Sequence, residues 1–268
     1  MAEDPTLTVT RIAHASVLLD FAGSRILTDP WFRESWMYHR GEPLGIEVED
    51  LPALEGVVVS HDHYDHNDMA SFAAYADHSV PIALPAGAGE RARRHGFGNL
   101  RELEPEQSTV MGGVRVTAIA GRHHQVPEHT YVLEAAGFRV YFGGDSLVVP
   151  AHRELRERFG PFDLALLPCN GLRIRIELNR QVAASAASAA ELSGFLRPRY
   201  LVPIHYAFRG NALTERLVIK HSRTGASELQ AAARHTAPGT QVRILAPGEP
   251  LLIEATTPAR AVSTTCAR

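Results

Sequence analysis

Apolar residues alternate with polar ones over residues 7–12, as in a strand covered on one face. A denser apolar run follows at 16–21 (SVLLDF). Ala22, Gly23 and Ser24 then make a tight connection, and residues 25–27 begin a third strand. These segments predict a β-meander. The stretch 31–45 is aromatic and punctuated by Gly41, Pro43 and Gly45, so it reads as a loop. Residues 56–59 (GVVV) are short and wholly apolar, as expected for a strand buried on both faces. That run ends at Ser60, directly before His61. Asn67 or Asp68 can cap a helix reaching about Ala76.

Further along, the pattern predicts strands at 80–84, 114–119 and 130–134 and a short helix at 87–95. Ala136 and Gly137 turn the chain into 139–142, a hairpin that Gly143 and Gly144 end before Asp145. A helix is predicted at 150–159 and a buried strand at 164–167, closed by Pro168. Asn179 is the expected cap of an Ala-rich helix at 181–196, and a strand at 200–204 ends at His205. A helix at 227–235 and short strands near 242–245 and 251–254 complete the pattern. Strands followed by strand–helix alternation, roughly twice and without a linker, predict one domain over 1–258 with helices outside two central sheets. Residues 259–268 read as a disordered tail. His61, Asp145 and His205 each follow a strand end, where α/β folds place their chemistry.

Composition narrows the classes. Of 268 residues, 45% are apolar, enough for a substantial core, and the net charge of -3 offers no field for nucleic acid or an anionic membrane. Cys169 and Cys266 lie in different contexts and suggest a reducing compartment rather than a disulfide framework. The first residues lack the apolar core of a signal peptide, and no run approaches a membrane span. The expectation is a cytoplasmic enzyme acting on a small molecule, with no nucleic-acid partner; a homo-oligomer is left open.

The 14 histidines then matter for where they cluster. His61, His63, Asp65 and His66 place four nitrogen or oxygen donors within six residues, a set that suits zinc and its neighbours. In an extended stretch His61 and His63 point the same way, and Asp65 and His66 at the following turn can reach a second ion. A solvated polar loop is the plainer alternative, but this density directly after a buried strand argues against it.

The cluster resembles the hallmark of the metallo-β-lactamase superfamily, His-x-His-x-Asp-His after a strand. The likeness extends over nearly the whole chain. It is closest to the branch that holds ascorbate-phosphate lactonase-like proteins and the phospholipase D acting on N-acylethanolamine phospholipids. Ala13-His14-Ala15-Ser16 and Thr28-Asp29-Pro30 match that branch, except that Ala13 stands where glycine is usual. The resemblance implies an α/β fold, a four-layer αββα sandwich of two central mixed sheets with outer helices. It implies His123 beside His61 and His63 at a first metal, with His124 as the alternative. Asp145, after Gly143-Gly144, would bridge to a second metal held by Asp65, His66 and His205, the last following Val202-Pro203-Ile204. His14 and Asp29 would stand behind the ligands, or simply satisfy strand-end backbone.

Two divalent ions sharing a hydroxide supply a nucleophile at neutral pH, with Asp65, Asp145 and His205 as the catalytic groups. Zinc is the default, with manganese or iron as alternatives. The expected reaction is hydrolysis of an ester, lactone, amide or phosphodiester in a small, anionic molecule. A lyase or cyclase of secondary metabolism on the same site is the alternative. A nuclease-type phosphodiesterase is weaker for want of a basic balance, as is a non-catalytic metal binder. Arg122, His124, Arg173 and Arg180 could form a cationic rim for a carboxylate or phosphate. Trp31, with the aromatic loop around it, could wall an apolar part, and Tyr206 beside His205 is a further candidate contact. The long connection 208–225 reads as a lid with Lys220 and His221 exposed.

Overall fold

The computed structural model describes residues 5–255, so the expected tail 259–268 and Cys266 lie outside the described residues. Two seven-stranded sheets organise the chain, and each repeats the same plan. The first runs in the order Pro250–Glu254, Thr6–Ala13, Ser16–Phe21, Ser24–Thr28, Gly56–Val58, Ile82–Pro85, Leu100–Leu103. The second runs Gln241–Val242, Tyr200–Ile204, Leu164–Pro168, Phe138–Phe142, His129–Ala135, Val114–Ala120, Ser108–Met111. In both, an antiparallel meander passes into parallel strands.

Strand parity explains the layers. Side chains alternate across a strand, so Val17, Leu19 and Phe21 enter the core between the sheets while Leu18 packs on the outer face. Leu164 and Leu166 likewise face inward, and Ala165 and Leu167 outward. Strands apolar on both faces need cover on both. Met69–Phe72 and Glu90–Arg94 cover the first sheet; Pro150–Arg153, Leu155–Phe159, Ala186–Leu196 and Gly225–Thr236 cover the second. Helix, sheet, sheet and helix therefore stack as four layers, the expected mixed α/β sandwich. Each fully buried Leu, Val or Phe contributes about 1.5–3 kcal/mol of transfer free energy, and these three cores hold most of them. No helix among the described residues is long and apolar enough to cross a membrane.

Several elements differ from expectation, for local reasons. The helix predicted from 181 begins at Ala186, capped by Ser185 instead of Asn179. Arg180–Gln181 instead pairs with Arg173–Ile174, and Val182, Ala183 and Ala184 are buried, so tertiary contacts override alanine's helix propensity. The helix predicted to Ala76 spans only Met69–Phe72, capped by Asp68, whose carboxylate accepts from Ser71 N at 3.2 Å. Residues 150–159 divide into two short helices at Glu154. Leu100–Leu103 and Ser108–Met111 are strands that charged and polar residues hide from an apolar count.

The segment 208–225 is structured. Arg209–Gly210 pairs with Tyr38–His39, and Ile219–Lys220 joins Arg173–Ile174 and Arg180–Gln181 in a three-stranded sheet. These two accessory sheets sit over the ends of the parallel strands. Arg11 ties the Tyr38–His39 side to the sandwich. Its buried guanidinium donates to Glu42 at 2.5 and 2.7 Å and to Leu245 O at 3.0 Å. The same Glu42 carboxylate accepts from His14 N at 3.2 Å.

Candidate metal centre

Six elements end at one place. His14 lies in the turn after Thr6–Ala13, and Asp29 follows Ser24–Thr28. His61 to His66 follow Gly56–Val58, and His123 lies past Val114–Ala120. Asp145 follows Phe138–Phe142, and His205 follows Tyr200–Ile204. His14, Asp29 and His205 all have positive φ (54°, 34° and 54°), a cost typical of functional sites that surrounding contacts must hold. Gly144 also has positive φ, 51°, and a Cβ there would stand 2.6 Å from Ser60 Cβ. That close approach brings Asp145 against the His61 loop and leaves room only for glycine.

The imidazoles are held from behind. His61 Nδ1 faces Ser60 Oγ at 2.9 Å, His66 Nδ1 faces Asp29 Oδ2 at 2.6 Å, and His123 Nδ1 faces Val182 O at 2.7 Å. Each contact leaves Nε2 pointing inward. His63 presents Nδ1, 3.0 Å from His61 Nε2 and 3.1 Å from His123 Nε2. Nitrogens 2.0–2.1 Å from a tetrahedral ion stand about 3.3 Å apart, so this triad is close to a ligand set.

On the other side, Asp145 Oδ2 lies 2.9 Å from His205 Nε2 and 3.4 Å from His66 Nε2. Asp65 Oδ2 lies 3.9 Å from His66 Nε2 and 3.4 Å from His14 Nε2. Thus His14, Asp65, His66 and His205 form one group of convergent donor atoms, and His61, His66 and Asp145 link it to the triad. Nε2 of His14, His66 and His205 and Oδ1 of Asp145 are buried without a hydrogen-bond partner among the described residues. Orphaned buried donors cost free energy unless something else satisfies them. An all-imidazole and carboxylate set of this kind fits divalent cations.

Electrostatics agree. Burial, reinforced by neighbouring imidazoles, pushes His61 well below its ordinary pKa and His14 down to about 3. Burial also lowers His123 to about 4, against the pull of Asp145. Their ring nitrogens are therefore free as lone-pair donors. Burial would lower His66 too, but Asp145, Asp29 and Asp65 lift it well above the usual range. Burial would raise Asp145, yet His205 and His66 hold it well below the carboxylate range. The carboxylates make this a place where positive charge is stable.

Glu128 is a site residue that sequence reasoning missed. Fully buried, it accepts from Asp145 N at 2.8 Å, and its Oε1 lies 3.8 Å from His61 Nδ1. Burial and Asp145 push its carboxyl well above the ordinary range. No local motif marks it; an acid just before an apolar strand is the sole sign. Ser60, which bonds Asp29 through both its amide and its hydroxyl, was legible only as the residue before His61.

A cavity of about 200 Å³ opens onto these donors, with His63, Asp65, His123 and Asp145 on its floor. The expected substrate contacts divide around it. His124 reaches the cavity but its Nε2 pairs with Glu177 at 2.9 Å. Arg122 and Arg180 line a separate recess of about 250 Å³ next to His123 and His124. Arg173 turns to Asn179 O and Gln181. Trp31 is fully buried behind the site, its ring 4.7 Å from His14. Tyr206 lies under the Arg11 guanidinium, with its hydroxyl on Leu245 O at 3.4 Å. The side chain of His221, expected to be exposed, is buried against Glu215 at 3.0 Å. A larger recess, about 410 Å³, between Arg197 and Thr240 contains none of these donor residues.

Comparison with known proteins follows the same lines. The family described as Beta-lactamase superfamily domain matches residues 24–206. An uncharacterised protein of Mycobacterium tuberculosis is 30% identical over 220 residues, 75% of this chain; the chain spans only 58% of that relative's length. The N-acyl-phosphatidylethanolamine-hydrolyzing phospholipase D 1 of Caenorhabditis elegans is 27% identical over 78% of this chain and 66% of its own. Among solved structures, an isothiocyanate hydrolase from Delia radicum gut bacteria superposes with a TM-score of 0.73 at 21% identity. That match covers 92% of this chain and 100% of the other, and shows the shared fold.

Proposed function

We propose that this chain, which belongs to the metallo-β-lactamase superfamily, is a metal-dependent hydrolase of a small molecule, built as one domain over residues 1–258. His61, His63 and His123 would hold one divalent ion, Asp65, His66 and His205 a second, and Asp145 would lie between them. The observation that carries this reading is the pair of convergent donor sets, linked through His61, His66 and Asp145, with inward nitrogens left unpartnered. The nitrogen and oxygen donors favour zinc, with manganese or iron as alternatives.

Bound ions would supply an acidified water and polarise the bond under attack. The chain's own residues do the rest. Asp29, Ser60 and the Val182 carbonyl fix imidazole orientation from behind, a support that ligand geometry needs. Glu128 anchors Asp145 through its backbone amide. Asp65, on the cavity floor and close to His14, would orient the attacking water and hold its proton. Asp145 completes the acidic floor beneath the substrate, with His205 Nε2 behind it at 2.9 Å. An ester, lactone or amide carbonyl, or a phosphodiester, is the class of bond such a floor can attack.

Metal analysis of protein purified without chelator tests the reading, with two ions per chain expected. Asp145→Ala should lower that to one or fewer and abolish hydrolysis; two ions and full activity in this variant would overturn the bridging role. A lyase or cyclase would use the same floor. Turnover in oxygen-18 water separates them, because only hydrolysis places the label in product.

A further inference from the structure

The cavity above the candidate metal centre has no arginine or lysine on its walls. Tyr38, Leu172, Ile174, Val182, Phe208 and Ile219 form their apolar part, beside Tyr64 and His124, the latter paired with Glu177. Tyr38 stacks on Phe208 at 5.3 Å, and both belong with Leu172, Ile174 and Ile219 to one apolar cluster. Arg173, expected at the rim, is spent on Asn179 O and Gln181, and the nearby Arg175 on Ile219 O at 2.7 Å. Arg122 and Arg180 open onto an adjoining recess, beyond His123, His124 and Val182, and do not line the cavity itself. These walls come from the accessory sheets and the loop between them, not from the sandwich.

From this geometry we infer that the substrate presents an uncharged, apolar group of about six carbons to the accessory-sheet walls, with its reactive carbonyl at the Asp65–Asp145 floor. The inference rests on the hydrolase reading and names the substrate class for it. Apolar cavities of about 150 Å³ take a benzene-sized guest, so the 200 Å³ here suits a short alkyl chain or one ring. It also lies below the roughly 300–1,000 Å³ of sites for drug-sized ligands. A small lactone or ester with an alkyl substituent fits. Water adds at the acyl carbon, the acyl C–O bond breaks, and a carboxylate, an alcohol and one proton result.

Two measurements on the metal-loaded, full-length protein test this. The first is binding of straight-chain alkyl hydroxamates, from acetohydroxamate to decanohydroxamate, followed by thermal shift and titration calorimetry. Affinity should rise about threefold to fourfold per methylene, then level off near six carbons. Ile174→Ala should move that limit to longer chains, and Ile174→Phe to shorter ones, with metal content unchanged in both. The second is hydrolysis of γ-lactones of increasing alkyl length, where kcat/KM should follow the same order. A hydroxamate ending in a carboxylate should bind at least tenfold more weakly than the alkyl one of equal length.

Affinity independent of chain length, or equal binding of the carboxylate-tailed probe, would overturn the inference. The two readings fail separately. Length-dependent hydroxamate binding without turnover of any lactone, or of the matching alkyl esters and amides, supports the apolar pocket and removes acyl hydrolysis. Lactone turnover indifferent to chain length keeps hydrolysis and removes the pocket.

Discussion

His123 and His124 are adjacent in sequence and differ in every respect that matters. His123 is backed by the Val182 carbonyl and turns Nε2 toward His63. His124 turns its Nε2 to Glu177. His123→Ala should therefore cost one bound ion per chain by metal analysis, while His124→Ala should retain both. Loss of an ion only in the His124 variant would exchange their roles. His14 also gains weight at this scale. It was read as standing behind the ligands, yet its Nε2 joins the convergent atoms of Asp65, His66 and His205.

At the scale of elements, His152 shows how a helix is keyed to a sheet. It sits in Pro150–Arg153, and its Nε2 donates to Ala120 O at 3.1 Å at the end of Val114–Ala120. Val149 N donates to its Nδ1 at 3.4 Å, and the ring meets Tyr141 edge-on at 5.9 Å. That arrangement needs a neutral ring, and burial lowers its pKa to about 4 from 6.5. Between those values the unfolded chain binds the extra proton, so stability falls as pH falls, by about 1.4 kcal/mol per unit. Urea melts at pH 7 and pH 5 should show wild type losing about 2 kcal/mol more than His152→Gln. Equal losses would mean that His152 is charged in the folded state.

Across the whole molecule, the centre draws on both sheets. The first supplies His14, Asp29 and residues 61–66; the second supplies His123, Asp145 and His205. Ions held there would brace one sheet against the other. Their removal by a chelator should lower the melting temperature by about 10 °C, since ligands that bind only the folded state stabilise it. Calorimetry with and without chelator, then with zinc restored, checks this; an unchanged transition would show that the donors are not loaded or not bracing.

Much of this was legible before any coordinates. The runs 16–21, 56–59 and 164–167 announced strands, because an apolar period is a local property that burial on a sheet demands. The dense donors from His61 to His66, and Asp145 behind two glycines, announced the chemistry for the same reason: donor type is written in each residue. Convergence is not. His63 and His123 are 60 residues apart, and only the packing of two sheets brings them to 3.1 Å and separates His123 from His124. Glu128 has no motif, and its role exists only because the Asp145 turn folds over it. The helix start at Ser185 depended on pairing between Arg180–Gln181 and Arg173–Ile174, contacts that propensity does not contain. Arg173, one of the arginines that suggested an anionic substrate, is held by Asn179 O and Gln181, partners that only the fold supplies. Sequence by itself determined which donor groups the chain offers and where most of its strands lie, because those follow from residue type and period. Tertiary structure decided which donors meet and what surrounds them, because both depend on contacts between segments distant in the chain.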